Sequence, residues 1–475
     1  MPKETTIQSI GKPLAEHGQE HLLRFWQQLN AVQQEGLLAQ VQELDLPAIR
    51  DWVERLVKGQ PQPPVQHDFE PATSYSPQPR NADEKRKYAQ AIELGTKRIS
   101  QGKVAALTVA GGQGTRLGFD GPKGNFPVSP IKNKTLFRIF AETIAAVSQR
   151  YGAVCPWYIM TSPLNHEPTL AIFEADNFYG LDPRNVFIFQ QGTLPNFGLD
   201  GRILLAERDQ IARSPDGHGG CIRALARSGA LADMKNRGVE HLTYWQVDNP
   251  LVRLFDPLFV GLHVLDGAQM SSKAVIKTGP KEKVGNFCLV DGKVTVIEYS
   301  DLPDKLAEMR RPDGSLVFQL GSIAIHIIDT AFVEHLNTKG HTLPLHRAVK
   351  KVPHIDADGR RIEPKEPNGV KLESFIFDAI PLAQRSIILE IARGEQFAPV
   401  KNATGEDSAE VTHRMMIERA ATWLESAGVK VPRKPDHSPD CVIEIAPSFA
   451  LDAEDIPAKR DQIPPIQPGD KVYLA

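Results

Sequence analysis

The stretch from Lys103 to Gly124 constrains this chain more than any other. Lys103 to Val109 (KVAALTV) is a short apolar run of the kind that forms a buried strand. It leads into Ala110, Gly111, Gly112, Gln113, Gly114, Thr115, Arg116, Leu117 and Gly118, and then into Gly121, Pro122, Lys123 and Gly124. Glycine lets the backbone approach a ligand closely and adopt positive φ. Amides freed in such a loop point outward and can cradle phosphate. Arg116 adds a planar fork and Lys123 a point charge, both suited to phosphate oxygens. Two commoner glycine loops are excluded by spacing. A dinucleotide fingerprint needs GxGxxG, but Leu117 stands where its last glycine belongs. A GxxxxGK[ST] loop is absent, because no GKS or GKT occurs in the chain.

The rest of the chain supplies the setting for this loop. Thr135 to Arg150 reads as a helix, with Leu136, Ile139, Phe140, Ile144 and Val147 on one face. The short apolar runs WYIM (157–160), VFIF (186–189) and LTYWQV (242–247) have helical patterns between them. Strands alternating with helices predict an α/β domain with a mostly parallel sheet. From about His17 to Lys58 the spacing is helical, and a second helix is expected over Ala82 to Ser100. Between them lies a stretch with Pro61, Pro63, Pro64, Pro71, Pro77 and Pro79, expected to be an extended tether across a surface. After about Arg393 come short β-like pieces (CVIEIA, KVYLA) and prolines. Three consecutive segments are therefore expected: a helical segment with a tether over 1–100, a catalytic domain over 101–392, and a small C-terminal α+β domain over 393–475.

Composition narrows the class. The net charge is −3, from 55 Lys and Arg against 58 Asp and Glu, so a strong basic surface for nucleic acid is not expected. The cysteines, Cys155, Cys221, Cys288 and Cys441, are too scattered for a disulfide framework or a zinc ribbon. They read as reduced thiols in a reducing compartment. The N-terminal residues lack the apolar core of a signal peptide, and no run approaches the roughly 18 apolar residues of a membrane span. A cytoplasmic protein with no membrane partner is expected. One decoy is present: His17, Glu20 and His21 match HxxEH, an inverted zinc-protease motif. Gly18 weakens a helix there, and the segment reads better as a polar helix start.

GGQGTRLG followed by PKG resembles the signature of the eukaryotic-type UDP-sugar pyrophosphorylases, most of all their N-acetylglucosamine branch. The resemblance continues, in the family's order, through Met160–Thr161–Ser162, Gln191–Gly192 with Leu194–Pro195, Pro215 to Gly220, Val247–Asp248–Asn249 and Val296 to Ser300. It then takes in Asn368 to Asp378 and Phe397 to Ala403. Together these span roughly residues 100–405. The resemblance implies a Rossmann-like nucleotidyltransferase core and transfer of a uridylyl group from UTP to a sugar 1-phosphate, with Mg²⁺ as cofactor. The attacking phosphate oxygen is already an anion, so no general base is needed; positioning and charge neutralisation suffice.

The resemblance also implies roles. Ala110, Gly111, Gly112, Gln191, Gly217 and His218 would hold the nucleotide. The amide of Gln191 has both a donor and an acceptor for the uracil edge. Arg116, Lys123 and Lys401 would hold the phosphates. Gly285, Glu298, Asn368 and Gly369 would take the sugar, with Phe375 and Phe377 shaping its pocket. Asp248, a carboxylate after a buried strand, would take the metal, although Asp-Asn-Pro is also a turn signal. Two segments depart from the N-acetylglucosamine pattern. His218 stands where that branch has Asn, and Ser322 and Ile325 replace two further asparagines. The expected product is UDP-N-acetylglucosamine. Glucose 1-phosphate or several sugars as substrate, and a silent UDP-sugar binder, are the alternatives.

Overall fold

The computed structural model describes residues 4–59, 68–338 and 343–475. Two compact units are present, and both are discontinuous in sequence. One comprises the described residues of Met1–His67 with Gly192–Gly220 and Leu343–Ile376; the other comprises Asp68–Gln191, Cys221–Thr342 and Phe377–Ala475. The units thus interleave the three consecutive segments expected from the sequence.

The larger unit is built on a ten-stranded sheet. Its strands are β1 (Glu70–Pro71), β2 (Val104–Val109), β3 (Trp157–Thr161), β4 (Val186–Gln190), β5 (His241–Gln246), β6 (Met270–Ile276), β7 (Gly285–Val290), β8 (Lys293–Ile297), β9 (Leu320–Asp329) and β10 (Ser386–Glu390). The run β5-β2-β3-β4 is parallel throughout, as the alternation of strands and helices predicts. Val104 to Leu107 are fully buried, as a central strand covered on both faces must be. β9 adds antiparallel to β5, and it pairs in turn with β6 and β7. β10 runs parallel to β6. The parallel half of the sheet is therefore extended by strands of mixed direction.

The helices obey their end signals. Helix Leu136–Tyr151 is capped by the Thr135 side chain, which accepts from the Arg138 amide, and stops at Gly152 with φ 62°. Its apolar face lies in the main core with Phe137, Trp157 and Phe173. Helix Ala82–Ser100 has the bounds the periodicity predicts, with Asn81 as its cap. Pro61, Pro63 and Pro64 lie outside the described residues. The later part of the proline-rich stretch is extended: Glu70–Pro71 is an edge strand on β7, and Tyr75 bridges Leu389. The C-terminal residues form a parallel pair, β11 (Val442–Ile445) and β12 (Lys471–Leu474), around a separate apolar cluster that includes Trp423, Ile443, Phe449 and Ile456.

In the smaller unit, the helices Glu4–Glu16, Ala31–Gln42 and Leu46–Trp52 pack with Phe197, Ile203, Leu205, Val370 and Leu372. A three-stranded antiparallel sheet joins Leu345–Lys350, Gly369–Ser374 and Phe197–Gly198. The HxxEH segment does not start a helix. It follows the end of helix Glu4–Glu16, turns at Gly18 with φ 69°, and enters a single 3-10 turn. Its polar groups serve the backbone instead of a metal. His17 Nδ1 pairs with Pro13 O at 2.8 Å, His21 Nε2 pairs with Ile203 O at 2.8 Å, and Gln19 bonds both Gly201 O and Ile203 N.

Candidate active site

In open parallel sheets, ligands bind beyond the carboxyl ends of the strands. The glycine loop leaves the carboxyl end of β2, Gln191 follows β4, and Asp248 follows β5. β2 lies between β3 and β5, so its loop emerges near the middle of this edge.

Backbone bonds close the loop upon itself. Gly114 N donates to Gly121 O at 2.9 Å and Lys123 N to Gly112 O at 3.0 Å. Fully buried Asn165 braces it from below. Its Nδ2 donates to Ala110 O at 3.0 Å and Gly112 O at 3.2 Å, while its Oδ1 accepts from the amide and hydroxyl of Ser162. Sequence reasoning missed Asn165. It lies just past the Met160–Ser162 motif, and its role depends on a contact across more than fifty residues. Gln191 is brought to the loop: a Cβ on Gly111 would stand 2.6 Å from its Oε1. Only glycine lets the amide side chain approach the loop backbone this closely.

The loop also carries charge. Lys123 Nζ lies 3.6 Å from Asp248 Oδ2, and the two side chains are only 16% and 11% exposed. Arg116 is exposed and has no carboxylate partner among the described residues. Lys401 comes from far along the chain but docks on the same strand end. Val400 N donates to Asp248 O at 2.8 Å. Asn249 fixes this docking with both ends of its amide: Nδ2 donates to Gln396 O at 2.7 Å, and Oδ1 accepts from Ala398 N at 3.0 Å. Lys401 Nζ itself rests 3.4 Å from Asp407 Oδ2, at a half-exposed position. In the sequence Asp-Asn-Pro is a turn signal, which does not reveal this bracket.

A separate part of the same unit holds Gly285 and Glu298. Gly285 pairs with Ser322 across β7 and β9, and a Cβ there would lie 3.6 Å from Glu298 Oε1 and 3.7 Å from Ser322 Cβ. Close by, Lys277 donates to Asn286 Oδ1, and burial lowers its pKa.

Of the remaining expected residues, Gly217, His218, Asn368, Gly369 and Phe375 belong to the smaller unit and Phe377 to the larger. Gly217 has φ 85°, and a Cβ on it would meet Ser374 O at 2.3 Å, so this position requires glycine. His218 stacks on Phe375 at 5.3 Å, and His346 stacks on the same ring at 4.3 Å. His218 Nδ1 accepts from Ile376 N at 3.1 Å, which places the imidazole proton on Nε2. Burial, with the charge of His346, lowers its pKa to about 4. Asn368 braces the backbone. Its Oδ1 accepts from Val352 N at 2.8 Å and its Nδ2 donates to Val352 O at 3.1 Å. Gly369 is buried in the three-stranded sheet, where a Cβ would lie 3.0 Å from Phe197 O. These contacts give Asn368 and Gly369 a bracing role.

A family model described as UTP–glucose-1-phosphate uridylyltransferase matches residues 71–472. The chain belongs to that family. Among named relatives, human UDP-N-acetylhexosamine pyrophosphorylase-like protein 1 is 38% identical over 478 residues, covering 94% of this chain and 93% of the relative. The UDP-N-acetylglucosamine pyrophosphorylase of Saccharomyces cerevisiae is 34% identical over 436 residues, covering 88% and 91%. The crystal structure of the Trypanosoma brucei uridine diphosphate N-acetylglucosamine pyrophosphorylase, bound to an inhibitor, superposes with a TM-score of 0.81. At 24% identity over 100% of this chain and 99% of that one, the match speaks for the fold. Family membership makes the chain a nucleotidyltransferase, and the glycine loop lies inside the matched region.

Proposed function

We propose that this chain transfers the uridylyl group of UTP to N-acetylglucosamine 1-phosphate, forming UDP-N-acetylglucosamine and releasing pyrophosphate. One observation carries the reading: the glycine loop, the Gln191 amide and the Lys123–Asp248 pair converge at the carboxyl edge of β2, β4 and β5. A donor–acceptor amide against glycine backbone suits the imide edge of uracil. A nearly buried cation on the same loop suits a triphosphate. The names of the yeast and human relatives support the N-acetylated sugar.

The phosphate oxygen of the sugar 1-phosphate forms a bond to the α-phosphorus of UTP, and the bond from that phosphorus to the leaving pyrophosphate breaks. No proton needs to move. Arg116 and Lys123 hold the departing phosphates and Lys401 the α-phosphate. Both lysines rest on carboxylates in the structure, and phosphate oxygens of greater charge draw them away. Detaching Lys401 costs little, since ion pairs at such exposure contribute about 0–1 kcal/mol. Gly285 and Glu298 receive the sugar, with Glu298 accepting from its hydroxyls. Asp248 suits Mg²⁺: it is a hard oxygen donor, nearly buried, and already offset by a cation. When bound, the metal supplies positive charge to the phosphates. Among the described residues, no helix is long and apolar enough to cross a membrane. The four cysteines are buried and form no disulfide among the described residues, in keeping with catalysis in the cytoplasm.

Glucose 1-phosphate is the second reading. Its motive is Ser322, a short side chain beside Gly285 where the N-acetylglucosamine pattern has Asn, together with His218. Pyrophosphate release from UTP and Mg²⁺, with the two sugar phosphates at equal concentration, separates the readings. Faster release with the N-acetylated sugar is expected. Faster release with glucose 1-phosphate establishes the second reading, and no release with either leaves a silent UDP-sugar binder.

A further inference from the structure

The larger unit also holds a cavity of about 410 Å³, within the roughly 300–1,000 Å³ of small-molecule sites. Its walls are helix Leu136–Tyr151, the loop from Pro250 to Leu258, the stretch from Leu389 to Gln396, and the C-terminal residues around Met416 and Trp423. The glycine loop, Lys123, Asp248 and Lys401 take no part in the lining.

Most charges on these walls are satisfied. Arg150 and Arg253 share Asp452, Asp256 pairs with buried Lys273, and Glu444 accepts from the backbone amides of Ile131 and Lys132. Glu395 accepts from the Trp423 indole. Burial raises the pKa values of Glu390 and Glu454. Arg419 is the exception. Its Nη1 donates to Leu251 O and Glu395 O, both at 3.2 Å, and its guanidinium lies over the Trp423 ring at 4.9 Å. Nε and Nη2 have no acceptor among the described residues; the charge of Glu395, whose carboxylate is taken by the Trp423 indole, acts on the group without an ion-pair contact. Desolvation pulls its pKa down to about 10. An arginine with its planar fork unspent, on the wall of a cavity, matches a bidentate oxyanion.

We propose that this cavity is an effector site for a small amphipathic oxyanion, a carboxylate or a phosphate monoester. Arg419 holds the head group, and Val147, Met416 and Trp423 pack the apolar body. Occupancy reaches the catalytic residues through the cavity walls. The loop beginning at Pro250 directly follows Asp248 and Asn249, and the stretch ending at Gln396 runs into the segment that carries Lys401. Asn249 ties the two together through Gln396 O and Ala398 N. A ligand wedged between these walls therefore changes how Asp248 and Lys401 face each other. That effect on turnover rests on the catalytic reading above; binding does not.

The probe is 8-anilinonaphthalene-1-sulfonate, an aromatic body with an oxyanion head, titrated into the full chain and followed by its fluorescence. A saturable rise is expected with the wild type. Arg419→Leu is expected to weaken it at least tenfold, and Thr143→Phe, which fills the cavity, to abolish it. Displacement by 3-phenylpropionate or by phenyl phosphate identifies the preferred head group. No binding to the wild type overturns the site, as does equal binding to wild type and Thr143→Phe. That second variant decides the matter even if Arg419→Leu fails to fold. Saturating probe is also expected to change the rate of pyrophosphate release in the wild type by at least twofold, with no change in Thr143→Phe. An unchanged wild-type rate at saturation overturns the effector role. A chain that binds the probe but turns over neither sugar refutes the catalytic reading and leaves the binding site standing.

Discussion

Lys123 Nζ stands 3.6 Å from the carboxylate of Asp248, and both side chains are nearly buried. The pair joins a cation of the glycine loop to the carboxylate proposed to take the metal. Lys123→Ala removes the charge proposed to act on the leaving pyrophosphate, while the loop itself is held by backbone bonds and Asn165. The expected result is a fall in kcat of about 100- to 1,000-fold, the usual loss for one preorganised charge-stabilising donor. Unchanged circular dichroism would show the fold intact, and wild-type turnover would remove Lys123 from the mechanism.

Asn249 acts one step further out. Losing its amide in Asn249→Ala frees the segment that carries Lys401, and small misplacements of a catalytic group cost up to about 100-fold in rate. We expect kcat to fall by about tenfold or more, with little change in UMP affinity, since Gln191 and the glycine loop are untouched. Asn249→Asp keeps the acceptor for Ala398 N but loses the donor to Gln396 O, and should recover part of the loss. Equal kcat in all three proteins would show the bracket to be dispensable.

The glycine loop, the four parallel strands and the flanking helices were legible because each is a local pattern. VAALTV and WYIM are short buried runs, and the helix from Leu136 has one apolar face. The antiparallel half was not legible. β9 pairs with three strands, and periodicity carries no information about which strand lies beside which. The interleaved units escaped for the same reason: Phe197 and Val370 are neighbours in one small sheet although 173 positions separate them. Polar braces escaped too. Asn165, Asn249 and Asn368 all spend their amides on backbone groups, and from sequence such residues look like turn formers or ligand contacts. For Asn368 the resemblance implies a sugar contact, and the structure adds a brace that the sequence does not reveal, its amide closing on Val352.

Lys273 is fully buried on β6, held by Asp256 Oδ2 at 2.7 Å and by Gln396 Oε1 at 2.6 Å. Removing one member of a buried pair strands the other charge and costs about 3–5 kcal/mol. Lys273→Met should therefore lower the urea midpoint sharply. Adding Asp256→Asn, which keeps the cap on Leu258 N, should restore most of it. The pair also sets an acid limit. The Asp256 carboxyl is held down to about 2, below its usual 3.8, with Lys273 and Arg253 as the favourable charges that outweigh its burial. Its stabilisation is present above about pH 4 and is lost as pH falls toward 2, a loss that the double variant should not show.

His218 gives a prediction with two independent readouts. Its pKa is lowered to about 4, while in the unfolded chain it returns to about 6.5. The unfolded state therefore binds the extra proton first, and stability falls as pH drops from about 6.5 to about 4. His218→Asn deletes this titration, so its melting temperature should hold up better than that of the wild type across that window. Parallel loss in both proteins would show that the stacked imidazole protonates freely in the fold. The same variant restores the residue of the N-acetylglucosamine pattern. If His218 tunes the sugar, the ratio of kcat/KM for N-acetylglucosamine 1-phosphate over glucose 1-phosphate should rise by about tenfold, the scale of one hydrogen bond gained at a polar site. A changed melting profile with an unchanged ratio would confine His218 to holding the Phe375 ring.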